Sequence, residues 1–521
     1  MKRKKQKRLL FILLILFLAA CAGYFFLLRY NEEQEKKENE EETDTSVSIY
    51  PEDFDSSAIS SISYDYQGTP LSFSLKNDKE TWQYDENTDF PLNQSSLTGM
   101  SSQLQSLTAS RKIMNNLDTL ADYGLDEPVS QVTANDSDGT ELTIYFGNTN
   151  DAAGVTYIYT SASENIYTID SGVRDYFSHP LLDMIVEDEL PLPDSTAVYQ
   201  DITISRNEKT SVFRYKEEGD TELDYLNRCS WFADMDGDQF AMDDTAVSDL
   251  TGALSSLATS GCAAYGITSE EMSVYGLDQP SAVITVNYTQ TETVEAEEKT
   301  QENSSDSSEI ETEEETEAKT EEVAYQLNLK IGNAVEDYYY VTWNDLSQVY
   351  LMSASSLDTF LNCDKFTLMY KEPFNFSVDS IAEMEIKYQD LSFLYKIEHT
   401  RETAETTDEN GETSTEEKEV TQYTLNGQKI DSGEFTDLLG TIQNMAAEKL
   451  YPTEEGNAPI GDEAITLYVK LNQEKRGQVE LILTPYDNNY YALYVDQTPV
   501  YLMNKTDVSS FIDALPVEEK G

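Results

Sequence analysis

The chain has 521 residues and a formal net charge of −63, from 98 acidic against 35 basic side chains, while 39% of it is hydrophobic and 34 positions are tyrosine. That is enough apolar content for ordinary cores and enough length for roughly three domains. It comes in a field that repels phosphate backbones and anionic head groups, so nucleic acid is excluded as a ligand.

Residues 1–8 carry six basic side chains and residues 9–28 then run apolar, a stretch of about 30 Å as a helix and long enough to span a bilayer. Basic residues before the run and acidic ones after it keep the N-terminus cytoplasmic and place the bulk outside, so a single-pass protein of the cell membrane is expected. Leu18-Ala19-Ala20-Cys21 matches a bacterial lipobox, in which Cys21 would be acylated after cleavage. The apolar run continues past it through Ala22-Gly23-Tyr24-Phe25-Phe26, which favours an uncleaved transmembrane anchor. Residues 29–48 are rich in Glu, Lys, Asn and Thr, cannot offset their ordering entropy by burial, and read as a disordered stalk.

Three repeat units follow, at 49–192, 195–370 and 375–517. Each opens with strand-like alternation, at 59–66 and 71–75, at 198–204 and 212–215, and at 381–388 and 391–397. A tight turn comes next in the second and third units, where Asp236-Gly237 and Asn426-Gly427 suit a type I′ hairpin. The first unit keeps Trp82 and Phe90 but lacks the glycine, so a looser turn is expected there. One apolar template then recurs at helical offsets of 3, 7 and 10: Leu97, Met100, Leu104 and Leu107; Val247, Leu250, Leu254 and Leu257; Phe435, Leu438, Ile442 and Met445. Asn93, Asp243 and Asp431 stand four residues before each set as N-caps.

After the helix comes a corner, Tyr123-Gly124-Leu125-Asp126-Glu127-Pro128 in the first unit and Tyr275-Gly276-Leu277-Asp278-Gln279-Pro280 in the second. Glycine permits a positive φ and proline keeps its predecessor extended, so the motif reads as a fixed bend into a strand. Tyr451-Pro452 begins a degenerate version in the third unit. Strands resume at 131–134 and 142–146, 283–288 and 325–331, and 465–471 and 479–483. Every unit closes with an aromatic strand and a phenylalanine ten residues on: Tyr167 and Phe177, Tyr350 and Phe360, Tyr501 and Phe511. Two acidic low-complexity inserts, about 291–322 and about 400–419, fall at hairpin tips and are expected to be disordered.

Chemistry-bearing groups are sparse. His179 and His399 have no visible partner for a triad or a metal cage, and no nucleophile elbow, phosphate loop or zinc-protease helix occurs. Asp234, Asp236 and Asp238 imitate the start of an EF-hand loop, but Gln239 stands at its glycine position and Thr245 where the closing glutamate belongs, so a plain hairpin is favoured. Cys229, Cys262 and Cys363 are too few and scattered for a zinc ribbon and read as buried apolar fillers, with a Cys229 to Cys262 bridge left open. Tyrosine clusters such as Tyr338-Tyr339-Tyr340 and Tyr490-Tyr491 suit core and sheet-face packing before any stacking platform.

The repeated corner, the later Phe146-Gly147-Asn148 and Ile331-Gly332-Asn333, and the closing aromatic strand together resemble bacterial proteins of the domain-of-unknown-function 4340 family. The resemblance implies an envelope-associated accessory role beside ABC-type transport systems of the gliding-motility kind, and it brings no catalytic residues. The expected fold is α+β: a single N-terminal transmembrane helix, then three tandem repeats of an antiparallel sheet with one longer and one short helix. The expected function is a membrane-anchored extracytoplasmic interaction or scaffold protein, not an enzyme, without cofactor or resident metal, whose partners are the membrane and envelope proteins, ABC-type permease components among them. A binder of wall glycan or divalent cations is the second reading and a carboxylate-based wall hydrolase the third.

Overall fold

The computed structural model describes residues 47–516, except 79, 114–116, 295–318, 408–412, 453–455, 457–458 and 474. The basic segment at 1–8, the anchor expected at 9–28 with Cys21, and the stalk up to residue 46 lie outside the described residues. No helix among the described residues is long and apolar enough to cross a membrane. The last stalk residues belong to the fold: Val47 exchanges backbone hydrogen bonds with Ala109 at 3.2 and 3.3 Å, and Ile49 beside it is buried.

Three antiparallel sheets dominate. The first contains β1 (Ile59–Tyr66), β2 (Thr69–Leu75), β3 (Trp82–Tyr84), β4 (Arg111–Ile113), β5 (Ser130–Asp136), β6 (Glu141–Asn150), β7 (Val155–Thr160) and β8 (Ser163–Asp170). Its spatial order is β3-β2-β1-β5-β6-β7-β8-β4. The second contains β9 (Val198–Arg206), β10 (Lys209–Tyr215), β11 (Trp231–Met235), β12 (Asp238–Ala241), β13 (Thr259–Ala264), β14 (Ala282–Val294), β15 (Lys319–Val335), β16 (Tyr338–Trp343) and β17 (Val349–Ser353). The third contains β18 (Ile381–Tyr388), β19 (Leu391–Thr407), β20 (Thr413–Leu425), β21 (Gln428–Ile430), β22 (Ala447–Leu450), β23 (Ile465–Leu471), β24 (Gln478–Pro485), β25 (Tyr490–Val495) and β26 (Thr498–Asn504). Their orders, β12-β11-β10-β9-β14-β15-β16-β17-β13 and β21-β20-β19-β18-β23-β24-β25-β26-β22, repeat the first sheet with one strand added at one edge.

That added strand follows from turn chemistry. Asp236 and Gly237 (φ 57° and 86°) and Asn426 and Gly427 (φ 49° and 81°) both lie in the left-handed region that a type I′ turn demands, and each reverses the chain into β12 or β21. The first repeat has no such pair after Tyr84, and its chain leaves the sheet there.

Helices α1 (Gln94–Gln105), α2 (Asp244–Ser255), α3 (Ala354–Leu361), α4 (Lys365–Leu368), α5 (Ser432–Gln443) and α6 (Lys505–Asp513) complete the described α-helical segments. Asn93, Asp243 and Asp431 cap the three longer ones, their side-chain oxygens accepting from Ser95, Thr245 and Gly433 amides at 3.1, 2.9 and 2.9 Å. The repeated template is the buried stripe of each helix, with Val247 half-exposed as the exception. Burying such a side chain contributes about 1.5–3 kcal/mol, so the stripe, more than helix propensity, holds these helices on their sheets.

The inserts differ from expectation. Strands β19 and β20 stay paired from Tyr395–Leu425 out to Thr407–Thr413, so residues 400–407 and 413–419 are hairpin, not unstructured chain. In the second repeat pairing likewise runs to Val294–Lys319, which leaves only 295–318 of that insert outside the described residues. Threonine recurs through both segments, and its β-branched side chain suits extended backbone whatever the local charge.

The chain forms two compact units, divided between Asp188 and Glu189. The second and third repeats therefore share one body, and a single apolar core runs from Ile202 through Trp343 and Phe376 to Leu515. A fifteen-residue loop between β10 and β11 joins them. Arg214 clamps Asp220 through two hydrogen bonds of 2.7 and 2.8 Å, and Asp224 accepts from the amides of Leu226, Arg228 and Cys229, which shapes the loop. Its buried Tyr225 donates to the Pro373 carbonyl, lies 6.0 Å from the Phe376 ring and receives Gln473 on its own carbonyl at 3.0 Å. Tyr501 of β26 completes the joint by donating to the Tyr370 carbonyl at 2.7 Å.

Candidate functional site

The two signature motifs of the first repeat meet in space. A 3-10 turn (Leu117–Tyr123) delivers the chain to Gly124, whose φ of 65° turns it, and Leu125 enters the core while Asp126 stays exposed. A Cβ on Gly124 would collide with the Asn148 amide, and one on Gly147 would run into the Tyr123 carbonyl and the Leu125 side chain. The second repeat copies this, with Gly276 (φ 71°) against Asn333 and Gly332 against the Tyr275 carbonyl and Leu277. Each glycine is required because the opposing motif occupies the space a side chain would take.

The remaining corner residues serve the same purpose. Tyr123 packs on Tyr157 at 4.8 Å between ring centroids and Tyr275 on Tyr340 at 4.9 Å. Pro128 and Pro280, half-buried, lead into β5 and β14, and Asp278 is exposed like Asp126. The corners are thus a lock between a bend and a strand, with nothing converging on an open centre. In the third repeat a different cluster does this work: Tyr451 is buried, its hydroxyl donates to the Gly456 carbonyl at 2.6 Å, and Thr484 donates to the Pro459 carbonyl at 3.0 Å.

The other sequence candidates are dispersed. His179 lies 3.7 Å from Asp183 with both side chains more than half exposed, and His399 Nδ1 is 3.1 Å from the Thr421 hydroxyl. Asp236 and Asp238 flank the turn of a plain β11–β12 hairpin, and each pairs outside it, Asp236 with Lys209 of β10 at 2.8 Å and Asp238 with Lys365 of α4 at 2.6 Å. Among the described residues no three His, Cys, Asp or Glu side chains group to hold a metal. No disulfide joins Cys229 to Cys262; burial pushes the Cys229 thiol up, so it rests as an inert apolar filler.

The sequence does not announce a trough of about 730 Å³ on the third sheet, to which the second repeat contributes Glu222. Charge pairs line it. Glu383 lies 3.3 Å from Lys396 and 3.9 Å from Lys470, Arg476 binds Asp496, and the Arg476 guanidinium sits 5.1 Å from the Tyr225 ring centroid. Tyr468 is 40% exposed, with the Lys387 ammonium 4.7 Å over its ring, and a hydrogen bond to Glu480 raises its hydroxyl above the usual tyrosine range. The long loop after β10 supplies Glu222 to the trough, and the sequence signals that loop through the distance between Tyr215 and Trp231, far greater than that between Leu75 and Trp82.

A family model described as Domain of unknown function (DUF4340) matches residues 82–280 and 236–464. No curated protein and no solved structure matches the chain.

Proposed function

The chain belongs to the DUF4340 family, and from that premise we propose that it is a membrane-anchored extracytoplasmic interaction protein, an accessory that holds components of an ABC-type envelope transport system. The observation that carries the proposal is the serial repetition of one open-sheet topology, with the second and third copies fixed into a single body by Tyr225, Gln473 and Tyr501. A fixed body with large sheet surfaces and a charge-paired trough suits holding partners apart at a set spacing. The apolar run at 9–28 behind six basic residues supports the tether. The anionic excess supports a body that stands off an anionic membrane surface.

Crosslinking of the tagged full chain in intact cells, followed by mass spectrometry, tests this reading. Recovery of permease or ATPase-associated subunits is the expected outcome, together with protease access to the repeats from outside the cell. Recovery of wall glycan with no protein, or turnover of wall polymer by the purified chain, would overturn it.

A further inference from the structure

The first repeat contains a groove of about 700 Å³ between α1 and the strands β1 to β3. In a chain where 26% of residues are charged, only Lys76 and Glu80 among its lining residues carry charge. Hydroxyl and amide groups make up most of the rest: α1 presents Thr98, Ser101, Ser102 and Gln105, one helical face at offsets of 3, 4 and 7, opposite Asn77 and Ser60. Trp82, backed by hydrogen bonds of 2.7 and 3.0 Å between its backbone and the Gln94 amide, forms part of the wall.

The three repeats carry different side chains at the positions that border this groove. Leu75 faces Trp82 across the β2–β3 pair, and the corresponding pair in the second repeat is Tyr215 and Trp231. Ile59, three residues before the core Ile62, corresponds likewise to Tyr199, three before Ile202. In the second repeat Tyr199 and Tyr215 both pack on Trp231, each at 6.4 Å, and the Tyr199 hydroxyl is 3.3 Å from Ser255, the counterpart of Gln105. In the third, the counterpart Gln443 spends its amide on the Phe376 carbonyl. The first repeat has Ile59 and Leu75 in place of the two tyrosines, and its Gln105 turns back only to Ser101 at 3.2 Å. The second repeat sets two tyrosines at these positions, whereas the first has Ile59 and Leu75 and the third Ile381 and Ile397.

We propose that this groove is a binding site for a neutral polyhydroxylated chain, a glycan segment. Uncharged hydroxyl and amide groups exchange hydrogen bonds with sugar hydroxyls at no cost in unpaired charge, above a floor closed by the buried Trp82. An anionic or cationic ligand would find almost no counter-charge there. The site is independent of the partner-holding role proposed above, and its loss would leave protein crosslinks intact.

The test titrates chitotetraose and cellotetraose into the full chain purified in detergent, read by calorimetry. Leu75→Tyr, which installs the ring the second repeat carries, and Ser102→Trp, on the exposed helix face, should each weaken binding at least tenfold. Circular dichroism confirms that each variant is folded, and either folded variant suffices. Binding of chitotetraose alone identifies an N-acetylated amino-sugar chain, and binding of both identifies a general glucan site. Absence of binding by both oligosaccharides, or unchanged affinity in a folded groove-filling variant, would overturn the proposal.

Discussion

Replacing Tyr225 by alanine tests whether the second and third repeats are one folding body. Truncating a buried aromatic costs about 3–5 kcal/mol. Within that, losing the hydroxyl strands the Pro373 carbonyl, and Tyr225→Phe should isolate this part at about 1 kcal/mol. Tyr225→Ala also removes the ring beneath Arg476, a contact of about 0.5–1 kcal/mol. The expected sum is about 4 kcal/mol by urea denaturation of the full chain. Hydrogen exchange should show β9–β17 and β18–β26 opening in one step in the unsubstituted protein and in separate steps in the variant. A cost below about 1 kcal/mol, or joint opening that survives the substitution, would refute the assignment of the β10–β11 loop as the joint.

Gly332→Ala drives a methyl group into the Tyr275 carbonyl, a backbone atom, and should cost about 1–3 kcal/mol in thermal or urea unfolding; a neutral effect would mean that the corner has slack. Asp243→Ala removes the side-chain oxygen capping α2 and should cost about 1 kcal/mol, while Asp243→Asn should be near neutral. Burial holds the hydroxyls of Tyr50, Tyr370 and Tyr395 up at about 12, so the folded state keeps these phenols protonated where an unfolded chain would ionise them. Their contribution is complete below pH 10 and is lost as pH rises from 10 to 12, a decline measurable as a falling urea midpoint. Asp220 has the opposite sign: the Arg214 hydrogen bonds hold its carboxyl below the usual range, so its contribution is present at neutral pH and lost in acid, and Asp220→Asn should flatten that acid limb.

What could be read from sequence was local. Leu97, Met100, Leu104 and Leu107 mark a helix because their spacing is itself the buried face, and Asp236-Gly237 marks a turn because few pairs accept two positive φ values. The corners were legible as bends. Their partners were not, since Gly124 and Asn148 are separated by strands that sequence spacing does not fold together. The shared core was hidden for the same reason: Tyr225 and Pro373 meet across 148 positions. Strand β7 shows no separate signature because its alternation merges with that of β8. The groove beside Trp82 shows in sequence only as Ile59 and Leu75 in place of two tyrosines, a difference that becomes meaningful once strand register is known.

The fused core of the last two repeats dictates where the gene tolerates being cut. A protein truncated near residue 372 would lose Phe374 and Phe376 and bare the residues packed on them, among them Tyr225, and a fragment ending there should precipitate or recruit chaperones. A break at Asp188 and Glu189 instead follows the seam the chain already has, so proteolytic dissection or domain transplantation belongs at that seam and not at the edge of a sequence repeat.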